Sequence, residues 1–258
     1  MNFAGRKDDY MPLTPEEIER YNRQIMIEGW DIAGQERLRA ATVFIAGAGG
    51  LGSPVSMYLA SAGIGTLRIC DCGETEISNL NRQILHDDAR IGMNKALSAR
   101  QTLARINPNV NVIALPEIIT DESIAGLASD AAMIVDCLDN LETRHVLNRY
   151  AVSRGIALVH GAIQGLSGQI SVFHTPHTPC LACILPPKIP HGLFPVAGVA
   201  PGVIGLLQAT EAIKLLLGLG SPLYGSLLMW DGARADFQKI PICRSPECPV
   251  CGGDAACK

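Results

Sequence analysis

The sequence predicts an α/β protein with a doubly wound, mostly parallel sheet and a carboxyl-terminal extension that a metal ties to the sheet. Three observations predict this fold class. Short runs of β-branched and aliphatic residues alternate with helical segments, a glycine-rich turn follows the first of these runs, and two C-x-x-C pairs stand in the last third of the chain.

Composition sets the protein class. The 258 residues, 48% hydrophobic and 18% charged, suffice for one large α/β domain with a substantial core. A net charge of −4 gives no reason to expect nucleic acid or an anionic membrane as a partner. Residues 1–17 lack the apolar run of a signal peptide, so we expect a cytoplasmic protein. The longest apolar run, residues 202–220, carries Gln208, Glu211 and Lys214 at helical spacing, which predicts a buried helix with one polar edge rather than a membrane span.

The elements are predicted in a regular order. A helix begins after Thr14, because Thr14, Pro15 and Glu17 form a capping box with proline in the first turn. A short helix, a strand at about residues 42–46, the glycine turn and a second helix come next. Further strands are predicted at TLRICD, NVIALPE, AAMIVD and twice within IALVHGAIQGLSGQISVFH, with helices at KALSARQTLARIN and ETRHVLNRYAVSRG.

A single domain over residues 1–258 accounts for these elements. Its predicted parts are a helical arm at about 14–40, a nucleotide-binding core at about 41–175 and a zinc-tied part at about 176–252.

The glycine turn indicates a nucleotide. Residues 47–52, GAGGLG, fit the G-x-G-x-x-G pattern of Rossmann-like folds, in which glycines let backbone N–H groups approach a phosphate at a helix N-terminus. Asp71 ends the next strand, about twenty residues further on, near the usual place of a carboxylate that binds a ribose hydroxyl. A lone pattern of this kind can also be a packing turn, and NAD and ATP both remain open at this point.

Charged residues downstream favour a triphosphate. Adenylyl transfer builds negative charge on the α-phosphate and on departing pyrophosphate, and Arg82 and Lys95 can neutralise it. Asp136 and Asp139 follow a strand at the edge where open sheets bind ligands, and Asp139 suits Mg²⁺. Taken singly, the two cations could be surface residues, and Asp139 could cap the next helix.

The two C-x-x-C pairs predict a closed tetrahedral Zn²⁺ site. Its ligands are Cys180, Cys183, Cys248 and Cys251. Four thiolates satisfy the ion, so we expect His174 and His177, which precede the first pair, to be surface residues at a strand end.

The remaining cysteines are not predicted metal ligands. We expect Cys70, Cys72 and Cys137 to pack beside strands near the nucleotide, and Cys243 and Cys257 have no assigned role.

Several motifs stand in a characteristic order. They are RYNRQI at 20–25, GAGGLGS at 47–53, SNLNRQ at 78–83, GMNKA at 92–96 and DCLDN at 136–140, followed by the C-x-x-C pairs. In this order, from about Arg20 to Gly252, the chain resembles the ThiF/MoeB branch (the HesA/MoeB/ThiF family) of the ubiquitin-activating-enzyme superfamily. The resemblance implies ATP-dependent adenylylation of the C-terminal glycine carboxylate of a small ubiquitin-like sulfur-carrier protein, giving an acyl-adenylate and pyrophosphate.

The resemblance also implies roles for individual residues. Arg23 would act in the other subunit's site of a homodimer, Arg82 and Lys95 would contact the phosphates, and Asp139 would hold Mg²⁺. The implied nucleotide-binding set is Gly47, Gly49, Gly50, Gly52, Asp71, Asn79, Arg82, Gln83, Lys95, Asp139 and Asn140. A second aspartate usual in the family is replaced here by Gly73, with Glu74 as a possible substitute. The carboxylate nucleophile is ionised at pH 7, so no general base is required.

The reaction is predicted to end at the acyl-adenylate. Relatives that handle thioesters carry a cysteine between the first C-x-x-C pair and the apolar helix, whereas residues 184–203 contain none and Phe194 stands near that place. A separate sulfur donor would then consume the adenylate, unless Cys137, Cys243 or Cys257 acts from another direction.

Other functions remain open at this point. They are an NAD-dependent oxidoreductase, a non-catalytic interaction partner, and a superfamily member that adenylates a peptide or a tRNA base. The pathway is also open between molybdopterin, thiamine and another sulfur product.

Overall fold

A computed structural model describes residues 11–185 and 195–252. Its strands are β1 (Thr42–Ala46), β2 (Thr66–Cys70), β3 (Asn111–Leu115), β4 (Met133–Asp136), β5 (Ala157–Gln164), β6 (Ser167–Phe173), β7 (Ser226–Asp231) and β8 (Asp236–Pro241). Its α-helices are α1 (Pro15–Ile25), α2 (Asp31–Ala40), α3 (Gly52–Ala62), α4 (Lys95–Ile106), α5 (Ile124–Ala128), α6 (Leu141–Arg154) and α7 (Val199–Leu217).

The eight strands form one sheet in the order β3-β2-β1-β4-β5-β6-β7-β8. The pairs from β3 to β5 are parallel, and those from β5 to β8 are antiparallel. The strand order reverses beside β1, the point at which doubly wound sheets open a ligand crevice. The carboxyl ends of β1, β2 and β4 meet at this edge, so the segments that follow them converge. The predicted doubly wound, mostly parallel α/β sheet is confirmed, and the antiparallel half extends it, whereas the metal tie of the carboxyl-terminal extension stays a prediction.

Successive side chains of the central strands pack against helices on opposite faces of the sheet. Val43 and Ile45 of β1 belong to one core cluster with residues of α3, α4 and α7, whereas Phe44 and Ala46 face a second cluster with α5 and α6. Successive side chains of a strand point to opposite faces, so a strand buried on both sides reads as a continuous apolar run.

Helix α7 is the core helix predicted from the apolar run. It is the one helix among the described residues that is long and apolar enough to cross a membrane, yet 56% of its apolar window is buried inside the protein. Its polar residues are bonded internally: Gln208 donates to the Asp136 carbonyl at 2.7 Å, and Glu211 accepts from the Leu223 N–H at 2.9 Å. The polar edge therefore holds neighbouring segments in place.

The β7–β8 hairpin and the short helix α5 were not predicted from the sequence. Strand β8 is exposed along its whole length, so it lacks the strong apolar signature of the inner strands. The hairpin pairs residues across an Asp-Gly turn region, with Trp230 opposite Phe237. An Asp-Gly pair between two runs of strand-forming residues was the signal that could have found it.

Candidate active site

The glycine loop follows β1 and approaches neighbouring backbone closely. Gly47 has φ +98°, and a Cβ there would lie 2.7 Å from the Cys137 carbonyl oxygen. A Cβ on Gly52 would lie 2.0 Å from the Gly47 carbonyl oxygen. Both positions therefore exclude any other residue.

This loop presents free backbone donors. Among the described residues, none accepts a hydrogen bond from the N–H groups of Gly49, Gly50 or Leu51. They lie directly before the N-terminus of α3, where the Ser53 N–H already donates to the Gly49 carbonyl. Such an array forms an anion site.

Asp71 lies directly beside this loop. One carboxylate oxygen accepts from the Ala48 N–H at 2.8 Å and the other from the Gly73 N–H at 2.8 Å. A Cβ at Gly73 would be 3.2 Å from the Asp71 carboxylate and 3.6 Å from Lys95 Nζ. Position 73 therefore lies between the predicted ribose carboxylate and a predicted phosphate-binding cation. Glu74 is exposed.

Arg82 lies beside the glycine loop, and Lys95 lies beside Gly73. A Cβ at Gly50 would be 3.6 Å from Arg82 Cγ, and the guanidinium donates to the Ser78 carbonyl at 3.0 Å. Lys95 is the first residue of α4, whose N-cap is Asn94. Arg82 therefore lies at the loop, and Lys95 lies next to Gly73, which follows the Asp71 carboxylate that binds the loop.

The neighbours of Arg82 in its motif differ in what they contact. The Gln83 side chain is buried, and its Oε1 has no hydrogen-bond partner among the described residues, which leaves an acceptor beside Gly49. Asn79 is buried and closes its own turn, since its Oδ1 accepts from the Glu76 N–H at 3.3 Å. Gln83 is therefore the better placed of the two for a ligand.

Asp139 follows β4 at the same sheet edge. It is exposed, and it does not cap α6, because Asn140 is the N-cap and accepts from the Thr143 N–H at 2.9 Å. The alternative assignment of Asp139 as a helix cap is therefore wrong. Its carboxylate has no hydrogen bond or ion pair with the described residues, which leaves it available to a cation.

Asp136 is not a ligand residue, because it is completely buried. Its carboxylate accepts from His160 Nδ1–H at 2.7 Å and from the Leu138 N–H at 3.1 Å, and it lies 3.5 Å from Arg144 Nε. Burial alone would raise the pKa of Asp136, but Arg144 and His160 hold it below its usual range.

Arg144 completes this buried cluster. Its guanidinium donates to the carbonyl oxygens of Leu138 and Gly161. Asp136 and Arg144 thereby bind the N–H and the C=O of Leu138, one residue before Asp139. Sequence analysis did not assign this supporting role, although an arginine one helical turn into α6 was a signal for it.

The four predicted metal ligands come together. The Sγ atoms of Cys180, Cys183, Cys248 and Cys251 all lie within 4.8 Å of one another. Adjacent sulfurs are separated by 3.4–4.0 Å. A tetrahedral site with Zn–S bonds of about 2.3 Å requires sulfurs about 3.8 Å apart, so the cluster fits zinc.

The histidines near this cluster are not among its ligands. His177 is exposed as expected, but His174 is buried, and its Nε2 bonds the Gly155 carbonyl at 3.1 Å. The predicted surface location of His174 is therefore wrong. A carbonyl at a helix C-cap gives the imidazole a buried partner.

The other cysteines have different environments. Cys70 and Cys137 are buried, as predicted; burial raises the pKa of Cys70 to about 12 and raises that of Cys137 well above its usual value. Cys72 is exposed, so its predicted packing role is wrong, because its side chain lies beyond the end of β2. Cys243 forms a disulfide. Phe194 and Cys257 lie outside the described residues.

Arg23 is held far from the glycine loop of its own chain. Gln24 and Tyr21 bind the carboxyl ends of α3 and α4: Gln24 donates to the Ala62 carbonyl at 2.8 Å, and Tyr21 Oη accepts from Asn107 Nδ2 at 2.8 Å. The glycine loop and Lys95 lie at the opposite ends of these helices, about 15 Å away at 1.5 Å per residue. The Arg23 side chain is exposed and makes no ion pair or hydrogen bond with the described residues.

Known proteins resemble this chain in sequence. A family model described as the ThiF family matches residues 21–250. A sulfur carrier protein adenylyltransferase of Thermus thermophilus is 42% identical over 255 residues, covering 95% of this chain and 94% of its own. A molybdopterin-synthase adenylyltransferase of Escherichia coli is 42% identical over 245 residues, covering 93% and 98%.

Solved structures extend the comparison to the fold. The crystal structure of E. coli MccB with AMPCPP and MccA matches with a TM-score of 0.82 at 22% identity, covering 92% of this chain and 75% of that one. At that identity the likeness concerns the fold alone. The family match over nearly the whole chain and the 42% identical relatives give the identification: the chain belongs to the ThiF family.

Proposed function

We propose that this protein is an ATP-dependent adenylyltransferase that activates the C-terminal glycine carboxylate of a small ubiquitin-like sulfur-carrier protein. The observation that carries the proposal is the loop of free N–H groups at Gly49, Gly50 and Leu51, with Arg82 beside Gly50 and Lys95 beside Gly73. Its relatives with 42% identity are named for adenylyl transfer to a sulfur carrier and to molybdopterin synthase.

The polar groups of the site suit the successive parts of ATP, from its ribose to its phosphates. Asp71 keeps acceptor capacity on both carboxylate oxygens besides the two N–H groups it binds, which suits a ribose hydroxyl. The unpartnered Gln83 Oε1 offers an acceptor to a donor group of the nucleoside. The free N–H groups of the loop suit the phosphates.

Adenylyl transfer at this site requires that the carrier carboxylate and ATP be positioned and that the negative charge on the phosphates be neutralised. A carboxylate oxygen of the carrier attacks the α-phosphorus, an O–P bond forms, and the bond to the β-phosphate oxygen breaks to release pyrophosphate. Arg82 and Lys95 offset the charge that grows on the phosphates. Asp139 would hold Mg²⁺, which would neutralise further phosphate charge. No proton has to be removed from the nucleophile, and these groups require no general base.

Two further features belong to this proposal. Cys180, Cys183, Cys248 and Cys251 hold Zn²⁺ and tie the carboxyl-terminal segment to the domain. Arg23 acts in the partner's site of a homodimer, since its own site lies at the far ends of α3 and α4.

The proposed endpoint is the acyl-adenylate, which a separate sulfur donor consumes. Cys137 is buried, and burial raises the pKa of its thiol well above its usual value, whereas Cys243 is not a free thiol. Neither is suited to receive the carrier's acyl group.

Pyrophosphate exchange into ATP tests this function. We expect exchange only when a carrier ending in Gly-Gly is present, and none with the matched carrier that lacks its last glycine. Thermal stabilisation by ATP–Mg²⁺ but not by NAD is expected in parallel. Stabilisation by NAD alone, without exchange, would favour an oxidoreductase and contradict the proposal.

A further inference from the structure

His86 links the glycine loop to α4. It lies three residues after Gln83, and its imidazole is buried. Its Nε2 lies 2.9 Å from the Ala48 carbonyl oxygen, and its Nδ1 lies 2.8 Å from Ser98 Oγ on α4. The side chain therefore spans two elements that carry proposed phosphate-binding groups, the loop and the helix that begins at Lys95.

The hydrogen bonds fix the tautomer of this imidazole. A carbonyl oxygen only accepts, so Nε2 carries the hydrogen that it donates to Ala48. Ser98 Oγ accepts from Arg90 at 3.2 Å, which leaves its own hydrogen for Nδ1. His86 is then neutral with both nitrogens satisfied. Burial, chiefly, lowers the pKa of His86, in agreement with a neutral ring.

Both backbone polar groups of Ala48 are hydrogen-bonded. Its N–H donates to Asp71 at 2.8 Å, and its carbonyl accepts from His86. Asn94 at the start of α4 donates to the Asp71 carbonyl at 2.8 Å. The Ser98 N–H donates to the Asn94 carbonyl at 2.9 Å, which closes a circuit of hydrogen bonds through His86 along the first turn of α4.

Planarity of the peptide gives this circuit a consequence for ligand binding. In a trans peptide, the N–H of Gly49 points opposite to the C=O of Ala48. By binding that C=O, His86 turns the Gly49 N–H away from itself, toward the open side of the loop. Ser53 does the same for the next peptide, since its Oγ donates to the Gly49 carbonyl at 2.8 Å.

We propose that His86 is a positioning residue that orients the Gly49 N–H toward the nucleotide phosphates and fixes the glycine loop relative to Lys95. This inference rests on the proposed function, because it assigns phosphates to the loop. His86 itself touches neither nucleotide nor carrier. Without the imidazole, the Ala48–Gly49 peptide loses the partner that holds its orientation. Ordering this peptide then costs free energy when ATP binds, so the affinity for ATP falls.

Three variants of the full-length protein test the proposal. His86→Leu removes both hydrogen bonds, whereas His86→Gln keeps a donor at about the distance of Nε2. His174→Leu is the matched control, because His174 is also a buried histidine whose Nε2 bonds a backbone carbonyl. It follows Phe173, which lies opposite Leu158 near the start of β5, at the edge of the sheet away from the loop.

Calorimetric binding of ATP–Mg²⁺ and of adenosine gives the readout. We expect His86→Leu to weaken ATP–Mg²⁺ about tenfold, as for a free-energy change of about 1.4 kcal/mol, and His86→Gln to weaken it less than about threefold. Adenosine, which has no phosphate, should bind His86→Leu as it binds the wild type. His174→Leu should bind both ligands normally.

The outcomes separate the two proposals. Failure of the wild type to bind ATP–Mg²⁺ would contradict the proposed function, whereas equal ATP affinity of wild type and folded His86→Leu would overturn the role of His86 alone. Equal weakening of ATP and adenosine would also overturn it, because a general structural defect does not distinguish phosphates. If His86→Leu does not fold, Ser98→Ala replaces it. We then expect the affinity for ATP–Mg²⁺ to fall about threefold, as for one lost hydrogen bond. Unchanged ATP affinity of Ser98→Ala would contradict the proposal.

Discussion

Two arginines of α6 allow a controlled test of the buried cluster beneath Asp139. Arg144 pairs with Asp136 inside the protein, where the Asp136 side chain is 0% exposed. Arg149 pairs with Asp121 at the surface, with side chains 45% and 57% exposed. The same substitution, Asp→Asn, can therefore be made in a buried and in an exposed ion pair of one helix.

Asp136→Asn should be strongly destabilising. It leaves the buried Arg144 guanidinium without a counter-charge, which costs about 3–5 kcal/mol in other proteins. At about 2–4 °C per kcal/mol for a domain of similar size, the melting temperature should fall by about 6–20 °C. Asp121→Asn should cost at most about 1 kcal/mol, since solvent screens exposed pairs, and shift the melting temperature by less than about 4 °C.

Thermal unfolding at pH 7 and at acid pH checks this difference. The pKa of Asp136 is lowered in the folded state, so its stabilising contribution is complete above its unfolded value, about 3.9, and is lost as pH falls through the folded value. The gap between wild type and Asp136→Asn should therefore narrow in strong acid. Equal melting shifts for Asp136→Asn and Asp121→Asn at pH 7 would refute the reasoning.

Two further predictions follow from the zinc cluster and from the arm. Cys248→Ala should lose the metal, and because structural zinc contributes folding free energy, its carboxyl-terminal segment should loosen before the core unfolds. Limited proteolysis should then cleave this segment first. Metal analysis that finds no zinc in the wild type would contradict this prediction. Arg23→Ala and Asp139→Ala should each be inactive in carrier-dependent pyrophosphate exchange. A verified heterodimer of the two variants should recover activity, because one of its two sites draws the intact Arg23 and the intact Asp139 from different chains. No recovery would place Arg23 in its own subunit's site.

The sequence predicted those elements whose local signals agree with their tertiary setting. The capping box at Thr14 forms as predicted and begins α1 at Pro15. Strand β4 is apolar because both of its faces are buried, and its pattern was sufficient to find it. Strand β8 has no such pattern, because its side chains remain exposed.

The site was predictable where a backbone constraint requires a particular residue. Neighbouring backbone lies so close to Gly47 and Gly52 that only glycine fits at these positions. Asp71 was predictable because it directly follows β2. The two C-x-x-C pairs predicted the sulfur cluster for a similar reason, since few other residues ligate a metal at that spacing.

Supporting residues could not be predicted in the same way. Asp136 reads in the sequence as one more acidic residue at a strand end, and only its distances to His160 and Arg144 show that it is buried in a cluster. His86 has no local pattern at all, because its partners come from β1's loop and from α4. Such contacts are set by the packing of distant segments.

The most direct measurement for the proposed activity is the intact mass of the carrier after incubation with this protein and ATP–Mg²⁺ under non-reducing conditions. The proposed mechanism predicts a carrier heavier by one adenylyl group, with one pyrophosphate released per adenylate, and no enzyme–carrier adduct that thiols can release. Release of ADP and phosphate without adenylated carrier would contradict adenylyl transfer, and a thiol-sensitive adduct would contradict the endpoint and identify the cysteine that accepts the carrier.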